Sequence, residues 1–437
     1  MSSDATRSSL VPWAKTLPSG WITCRIDAVA DVLFSNVDKH TLDDEIRVRL
    51  CNYIDVYNNE KITADIDFMV ASADAREITK FQIHPGDVLA TKDSETPEDI
   101  AIPALVTEEL PGVLCGYHLA MIRPRSNRVT GPYISWLHNS KQFRAQYEAN
   151  AVGVTRFGLA QSAFKSALIP LPSNKERDLI VAYLDASCAA VSVAVAAKRR
   201  QLEILDNMRD AALHSAFAHL TQEPLERIKD VAEKIGSGVT PEGGAAGYLD
   251  SGIPLLRSQN VHFDGLRLQD VAFISAQTHA EMSSSQIQPG DVLLNITGAS
   301  IGRCTFVPVG FGEGNVNQHV CIIRPGPKID HRFLTSFLAS PIGQDQILST
   351  FTGASRQGLS HKELGLIRVP LPRLQKQSET VELINHEDIK NRQLRYVIQR
   401  QIDTLIDYRN SLIHECVTGQ RRITELDLSR VVNSKEG

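Results

Sequence analysis

Gly153-Val154-Thr155-Arg156-Phe157-Gly158-Leu159 returns 200 positions later as Gly353-Ala354-Ser355-Arg356-Gln357-Gly358-Leu359. The match runs on without a gap to Ile169-Pro170-Leu171-Pro172 and Val369-Pro370-Leu371-Pro372. It still holds at Arg200-Gln201, Leu205, Arg209 and His214, which meet Arg400-Gln401, Leu405, Arg409 and His414. Upstream the offset drifts to 201 for His118-Leu119-Ala120-Met121-Ile122-Arg123-Pro124 against His319-Val320-Cys321-Ile322-Ile323-Arg324-Pro325. For Pro85-Gly86-Asp87-Val88-Leu89 against Pro289-Gly290-Asp291-Val292-Leu293 it is 204. Arg25-Ile26 with Val29-Ala30 likewise meets Arg227-Ile228 with Val231-Ala232. Matches kept in order, with offsets that change only through loops, are the mark of a duplication. The chain is built twice.

Each copy has two parts of different character. In the first, short apolar runs such as 88–90 and 292–296 follow Pro-Gly-Asp turns, which suit strand entry and predict mixed α/β structure. In the second, residues 174–220 and 376–418 contain neither proline nor glycine, so each reads as one long helix. A spacing of three and four runs through Cys188, Val191, Val195, Lys198, Leu202, Leu205, Arg209 and Ala212, with Phe217 nearby, and in the partner through Ile398, Ile402, Leu405, Arg409, Leu412 and Cys416. That is a coiled-coil seam, interrupted by Lys198 and Arg209. A helix of about 45 residues spans roughly 65 Å at ~1.5 Å per residue. Connectivity favours an antiparallel pair with a globular part at each end, related by an internal pseudo-two-fold axis.

Composition narrows the class. At 437 residues the chain exceeds a single core, so two or more domains are expected. The seven cysteines are scattered without a CxxC pair, which speaks for reduced thiols in a cytosol and against a structural zinc site. The opening residues are polar and no apolar run approaches bilayer-spanning length, so neither a signal peptide nor a membrane segment is expected. A net charge of −5 gives no general attraction to phosphate, so any DNA-binding surface must be local or shared with partners.

Catalytic motifs are few. Gly298-Ala299-Ser300-Ile301-Gly302 fits the GxSxG nucleophile elbow, which would make the chain a hydrolase using Ser300. That elbow requires a strand, a sharp turn and a helix, whereas Arg303-Cys304-Thr305-Phe306-Val307-Pro308 reads as strand or loop. The 13 histidines form no metal-spaced pair, and His118 and His319 read as structural residues on apolar runs. GxxxxGK[ST], GxGxxG and Asn-Pro-Pro-aromatic motifs are missing.

In its duplicated plan the sequence resembles the specificity subunits of Type I restriction–modification systems. Leu168-Ile169-Pro170-Leu171-Pro172 leading into the first helix carries the likeness, as does Tyr408-Arg409-Asn410-Ser411-Leu412-Ile413-His414-Glu415-Cys416-Val417-Thr418-Gly419 at the end of the second. So do Val48-Arg49-Leu50-Cys51-Asn52-Tyr53 and Gly252-Ile253-Pro254-Leu255-Leu256-Arg257-Ser258-Gln259-Asn260-Val261. The resemblance implies target-recognition domains at 1–172 and 222–372, long helices at 173–221 and 373–425, and a tail at 426–437. It also implies a cytoplasmic, non-catalytic subunit that reads a split DNA site. Two methyltransferase subunits would dock on it, with two restriction subunits where cleavage occurs. S-adenosylmethionine, ATP and Mg would serve those partners, leaving this chain without a cofactor or metal. A coiled-coil scaffold whose ends bind proteins is the competing reading, supported by the acidic balance.

Candidate DNA contacts are polar side chains in turns at repeat-equivalent positions: Arg49 and Asn52, which match Arg257 and Asn260. Arginine can pair bidentately with guanine, and asparagine or glutamine with adenine. Ser237, Thr240 and Gln259 add short donors, and Arg156 and Arg356 sit in Gly-x-x-Arg-x-Gly turns. Residues common to both copies cannot explain different half-sites, so these two arginines suit phosphate or bracing. Phe157 against Gln357 differs and is the better specificity candidate.

Overall fold

The computed structural model describes residues 11–220, 222–241, 244–350 and 358–433. In both copies the central strand enters through the same turn. Asp87 N–H donates to the His84 carbonyl at 3.0 Å with Gly86 at φ +90°, and Asp291 N–H donates to the Gln288 carbonyl at 3.0 Å with Gly290 at φ +86°. Proline second and a positive φ third are what a type II turn demands, so glycine is required there.

The chain divides into two units, Met1–Lys198 with Arg400–Gly437, and Arg199–Gln399. Both cuts fall inside the long helices, Asn174–Ala218 and Leu374–Val417, so each unit joins one globular part to half of each helix. In the first unit a five-stranded sheet runs in the order Ala30–Phe34, Leu119–Pro124, Val88–Thr91, Pro103–Val106, Lys61–Ile62, with only the last pair parallel. Beside it lies a three-stranded sheet of Met69–Ala73, Ile46–Cys51 and Val113–Cys115. The second unit repeats this with a four-stranded sheet, Ala232–Ser237, Val320–Pro325, Val292–Asn295, Cys304–Phe306, and a three-stranded one, Ala272–Ile274, Ile253–Leu256, Asn315–Val316.

Burial on both faces explains the continuous apolar runs of the central strands. Val88, Ala90, Ala120 and Ile122 face one core while Leu89, Leu119 and Met121 face another. In the second unit Val292, Leu294, Cys321 and Ile323 face one side, and Leu293, Val320 and Ile322 the other.

Within each unit the two helix halves run antiparallel, giving the mixed α/β architecture with a long helix pair that the periodicity implies. In the second unit Arg209 meets Asp388, the Asn391 amide donates to the Leu205 carbonyl at 2.7 Å, and Arg395 meets Asp206, so one chain advances as the other retreats. In the first, Ile180, Tyr183, Leu184 and Cys188 share a core with Leu412, Ile413, Cys416 and Val417. Two of the helix arginines have structural partners: Arg209 bridges to Asp388 across the pair and also stacks over Phe263, and Arg409 stacks over Trp136.

One expectation needs correcting. The first long helix contains an 18-residue window that is long and apolar enough to cross a membrane by length and composition. Asp185, Ser187 and Ser192 interrupt the run, yet its mean hydropathy stays at 2.0. Ile180, Tyr183, Leu184, Cys188, Val191 and Val195 are buried in the protein, while Val193 is 68% exposed, so packing accounts for part of the hydropathy.

Candidate nucleic-acid interface

In the first unit a small sheet, Val152–Gly153, Phe157–Gly158, Asp93–Ser94, carries the Gly-x-x-Arg-x-Gly turn. Arg156 Nε donates to Asp93 Oδ1 at 3.0 Å, and Asp93 Oδ2 pairs with His118 Nδ1 at 2.9 Å. Phe157 stands opposite Ser94, whose hydroxyl lies 3.3 Å from the Tyr53 hydroxyl, and Tyr53 follows Asn52. Asn52, Arg156 and Phe157 are therefore brought to one surface. Arg49 is engaged elsewhere, donating to the Pro111 carbonyl at 3.0 Å and stacking over Phe68. The guanidinium of Arg156 remains half exposed although Asp93 holds it, so bracing and phosphate contact are compatible roles.

Sequence reasoning missed four members of this surface. Asp93 and His118 anchor Arg156, and Tyr117 is exposed with the Lys92 ammonium 4.3 Å from its ring. Burial, its largest influence, pushes the Lys92 amine below its usual range, and the Ser35 carbonyl accepts its hydrogen bond at 3.1 Å. The signal was present in the 204 offset that joins Val88 to Val292, which sets Asp93 against Thr297. There Thr297 Oγ1 meets His319 Nδ1 at 2.6 Å, beside Gln318. The buried frame is shared and the groups on it differ.

Strand register also corrects one pairing. Cys51 lies opposite Cys115 and Leu256 opposite Val316, and Cys115 and Val316 are related by the same 201 offset as His118 and His319. Asn52 therefore corresponds to Arg257, and Asp55 to Asn260. The caps agree: Asn52 N–H donates to Asp55 Oδ2 at 2.7 Å, and Arg257 N–H to Asn260 Oδ1 at 2.9 Å. Matching Arg49 to Arg257 by residue type was three positions out of register.

That role leaves Asn260 inside. It is 1% exposed, and its amide nitrogen donates to the Arg267 carbonyl at 2.8 Å, so as folded it presents no group to a base. Arg257 donates to the Asp270 carbonyl at 2.9 Å and stacks over Tyr248, and Gln259 reaches the same carbonyl at 3.4 Å. Ser237 N–H donates to His361 Nε2 at 3.0 Å, and the Gly238 N–H after it donates to the Asn317 carbonyl at 3.2 Å, which sets this loop beside Gln318 and His319. Thr240 is exposed in the coil that follows. Arg356 and Gln357 lie outside the described residues.

Ser300 lacks an elbow. Strand Val292–Asn295 leads through the short turn Gly298–Ser300 into the antiparallel strand Cys304–Phe306, so no helix follows the serine. Its hydroxyl accepts from the Asn295 amide at 3.1 Å. Among the described residues no group of three or more His, Cys, Asp and Glu side chains could hold a metal ion.

Known proteins resemble this chain in sequence and in fold. Residues 223–397 match the family described as the Type I restriction modification DNA specificity domain. Residues 223–397 thus belong to that family. The Type I restriction enzyme EcoBI specificity subunit of Escherichia coli is 26% identical over 324 residues, 69% of this chain; the match spans 64% of that protein's length. The putative type I restriction enzyme MjaX specificity subunit of Methanocaldococcus jannaschii is 19% identical over 430 residues, 93% of this chain and 95% of that protein. A solved chain from work on complex assembly and conformational transition of the type I R-M system superposes with a TM-score of 0.68 at 19% identity, covering 92% of this chain and 98% of that one. The family match contains the second-unit candidates, Ser237 through Gln357.

Proposed function

We propose that this chain is the DNA-reading subunit of a Type I restriction–modification complex, with recognition domains at 1–172 and 222–372 each reading one half of a split, asymmetric site. The observation that carries the reading is one buried frame built twice under surfaces that differ: Asp93 and Tyr117 in one copy stand where Thr297 and Gln318 stand in the other. A dimeric reader engages half-sites about one helical turn (~34 Å) or a multiple apart, with symmetry mirrored in the site. A duplicated chain keeps a fixed spacing while the halves diverge, so the halves of the site diverge too.

The long helices at 173–221 and 373–425 hold the readers and dock two methyltransferase subunits, and two restriction subunits where the complex cleaves. Exposed apolar side chains along them, including Leu383, Ile389, Tyr396 and Val397, suit such docking. The chain itself is non-catalytic and cytoplasmic and holds no cofactor; S-adenosylmethionine, ATP and Mg act in the partner subunits. The net charge of −5 fits a reader that shares the phosphate contacts with those partners.

Methylome sequencing of cells expressing a cognate methyltransferase with and without this chain is the test. A bipartite, asymmetric modified motif is expected only when the chain is present. A complex that assembles and methylates nothing would favour the protein-binding scaffold instead.

A further inference from the structure

Trp136 in the first unit and Ser336 in the second hold the same place in the repeat, and where one unit has an indole the other has a cavity. Their helices, Gly131–Asn139 and His331–Ala339, are nine residues each and lie 200 apart, followed by the matching serines Ser140 and Ser340. Trp136 is 9% exposed; its Nε1 donates to Asp185 Oδ1 at 2.9 Å, and the Arg409 guanidinium lies 5.9 Å from the ring centre. The 200 offset carries Asp185 to Asn385 and relates Arg409 to Arg209. Ser336, Asn385 and Arg209 line a single cavity of about 350 Å³ in the second unit. Ala212, where the first unit has Leu412, lines it too.

Three features make this a built site. The volume is in the range of small-ligand pockets, ~300–1,000 Å³. Arg209 is held in place, because Asp388 accepts from its Nε at 3.3 Å and is itself anchored by Arg392 at 2.6 Å. Asn385 is exposed, with its amide unpaired among the described residues. Phe263 lies 5.8 Å from Arg209, yet it lines the cavity without filling it.

We propose that this cavity binds a planar aromatic group of indole size bearing a ring N–H, stacked on Arg209 and donating to Asn385 Oδ1. The first unit supplies the template: there the chain provides its own indole, donor and all. Cation–π stacking on a tethered arginine favours a flat ring over an aliphatic group of equal volume. The group can arrive as a free small molecule or as a side chain of a partner protein, and the chemistry recognised is the same.

Titrating the full-length chain with indole, followed by saturation-transfer NMR and by the melting temperature, is expected to show saturable binding. N-methylindole, which keeps the ring and loses the donor, should bind up to about tenfold more weakly. Ser336→Trp, which supplies the first unit's indole, should abolish binding. If that variant fails to fold, Ala212→Leu should still weaken binding at least about fivefold by narrowing the cavity. Comparable affinity for N-acetyltryptophanamide identifies a partner's side chain as the occupant, and binding of indole alone identifies a free ligand. No saturable binding of indole to the unmodified chain, or undiminished binding to a folded Ser336→Trp or Ala212→Leu, overturns the proposal.

Discussion

Arg324 grips Asp291 through two parallel hydrogen bonds, Nε to Oδ1 at 2.7 Å and Nη2 to Oδ2 at 2.8 Å. Arg123 grips Asp87 in the same way, at 2.8 and 2.7 Å. Each carboxylate also closes the turn that begins the central strand, accepting from Gln288 N–H or His84 N–H. Asp291 is 1% exposed, so removing it leaves an arginine and a turn amide without their partner in a dry place. Asp291→Ala should cost about 3 kcal/mol of unfolding free energy, read by urea denaturation. A loss under about 1 kcal/mol would class the pair with surface ion pairs and sink this account.

His138 predicts an acid sensitivity. It is fully buried, hydrogen-bonded to the Ile134 carbonyl at 2.8 Å and to the Tyr147 hydroxyl at 3.0 Å, and burial pushes its pKa down to about 4. The unfolded chain therefore binds this proton first as pH falls. The stability that the neutral ring contributes is complete above the unfolded value of ~6.5 and is lost progressively down to about pH 4, to the extent of about 3 kcal/mol. Burial also depresses His331 and His414, so the chain as a whole should lose stability over the same side of neutrality. Denaturation of the native chain and His138→Gln at pH 7 and pH 4.5 should show the smaller pH difference in the variant. Equal differences would remove His138 as a cause.

The architecture was legible because a duplication writes every buried constraint twice. Pro85-Gly86-Asp87 and Arg123-Pro124 stood out in the sequence for the reason the structure supplies, a turn and a salt bridge that the sheet cannot form otherwise. The site was less legible. Asp93 and His118 approach Arg156 only when strands far apart in sequence pair, and nothing local in the chain announces that meeting. Periodicity hid the apolar window of the first helix behind Asp185, and residue-type matching set Arg49 against Arg257 where strand register sets Asn52.

The corrected register separates two neighbours that look alike in sequence. Asn260 has both ends of its amide engaged within its own loop, whereas Arg257 stands at the cap position with part of its side chain accessible. Asn260→Ala should destabilise the second unit by about 1–3 kcal/mol, because the Arg257 amide and the Arg267 carbonyl lose their partner. Arg257→Ala should leave stability within about 1 kcal/mol of the native chain and weaken DNA binding. Thermal melting and binding of the assembled complex measured on both variants would decide it. The reverse pattern would return Asn260 to the candidate contacts.

Arg156 and Asp93 divide contact from positioning. If Arg156 meets a phosphate, Arg156→Gln weakens binding to all sequences alike and lowers the slope of log affinity against log salt by about one. Asp93→Thr, which gives the first unit the residue its copy carries, leaves Arg156 its charge but releases it from a fixed place. Because the Asp93–Arg156 pair also braces the turn that carries Phe157, that variant should keep the salt slope and lose about 1–3 kcal/mol of discrimination at a base pair in one half-site only. Duplexes substituted singly in each half, titrated at two salt concentrations with the assembled complex, read both effects at once. Discrimination lost equally in both halves, or a slope that moves with Asp93→Thr and not with Arg156→Gln, would overturn the division of roles.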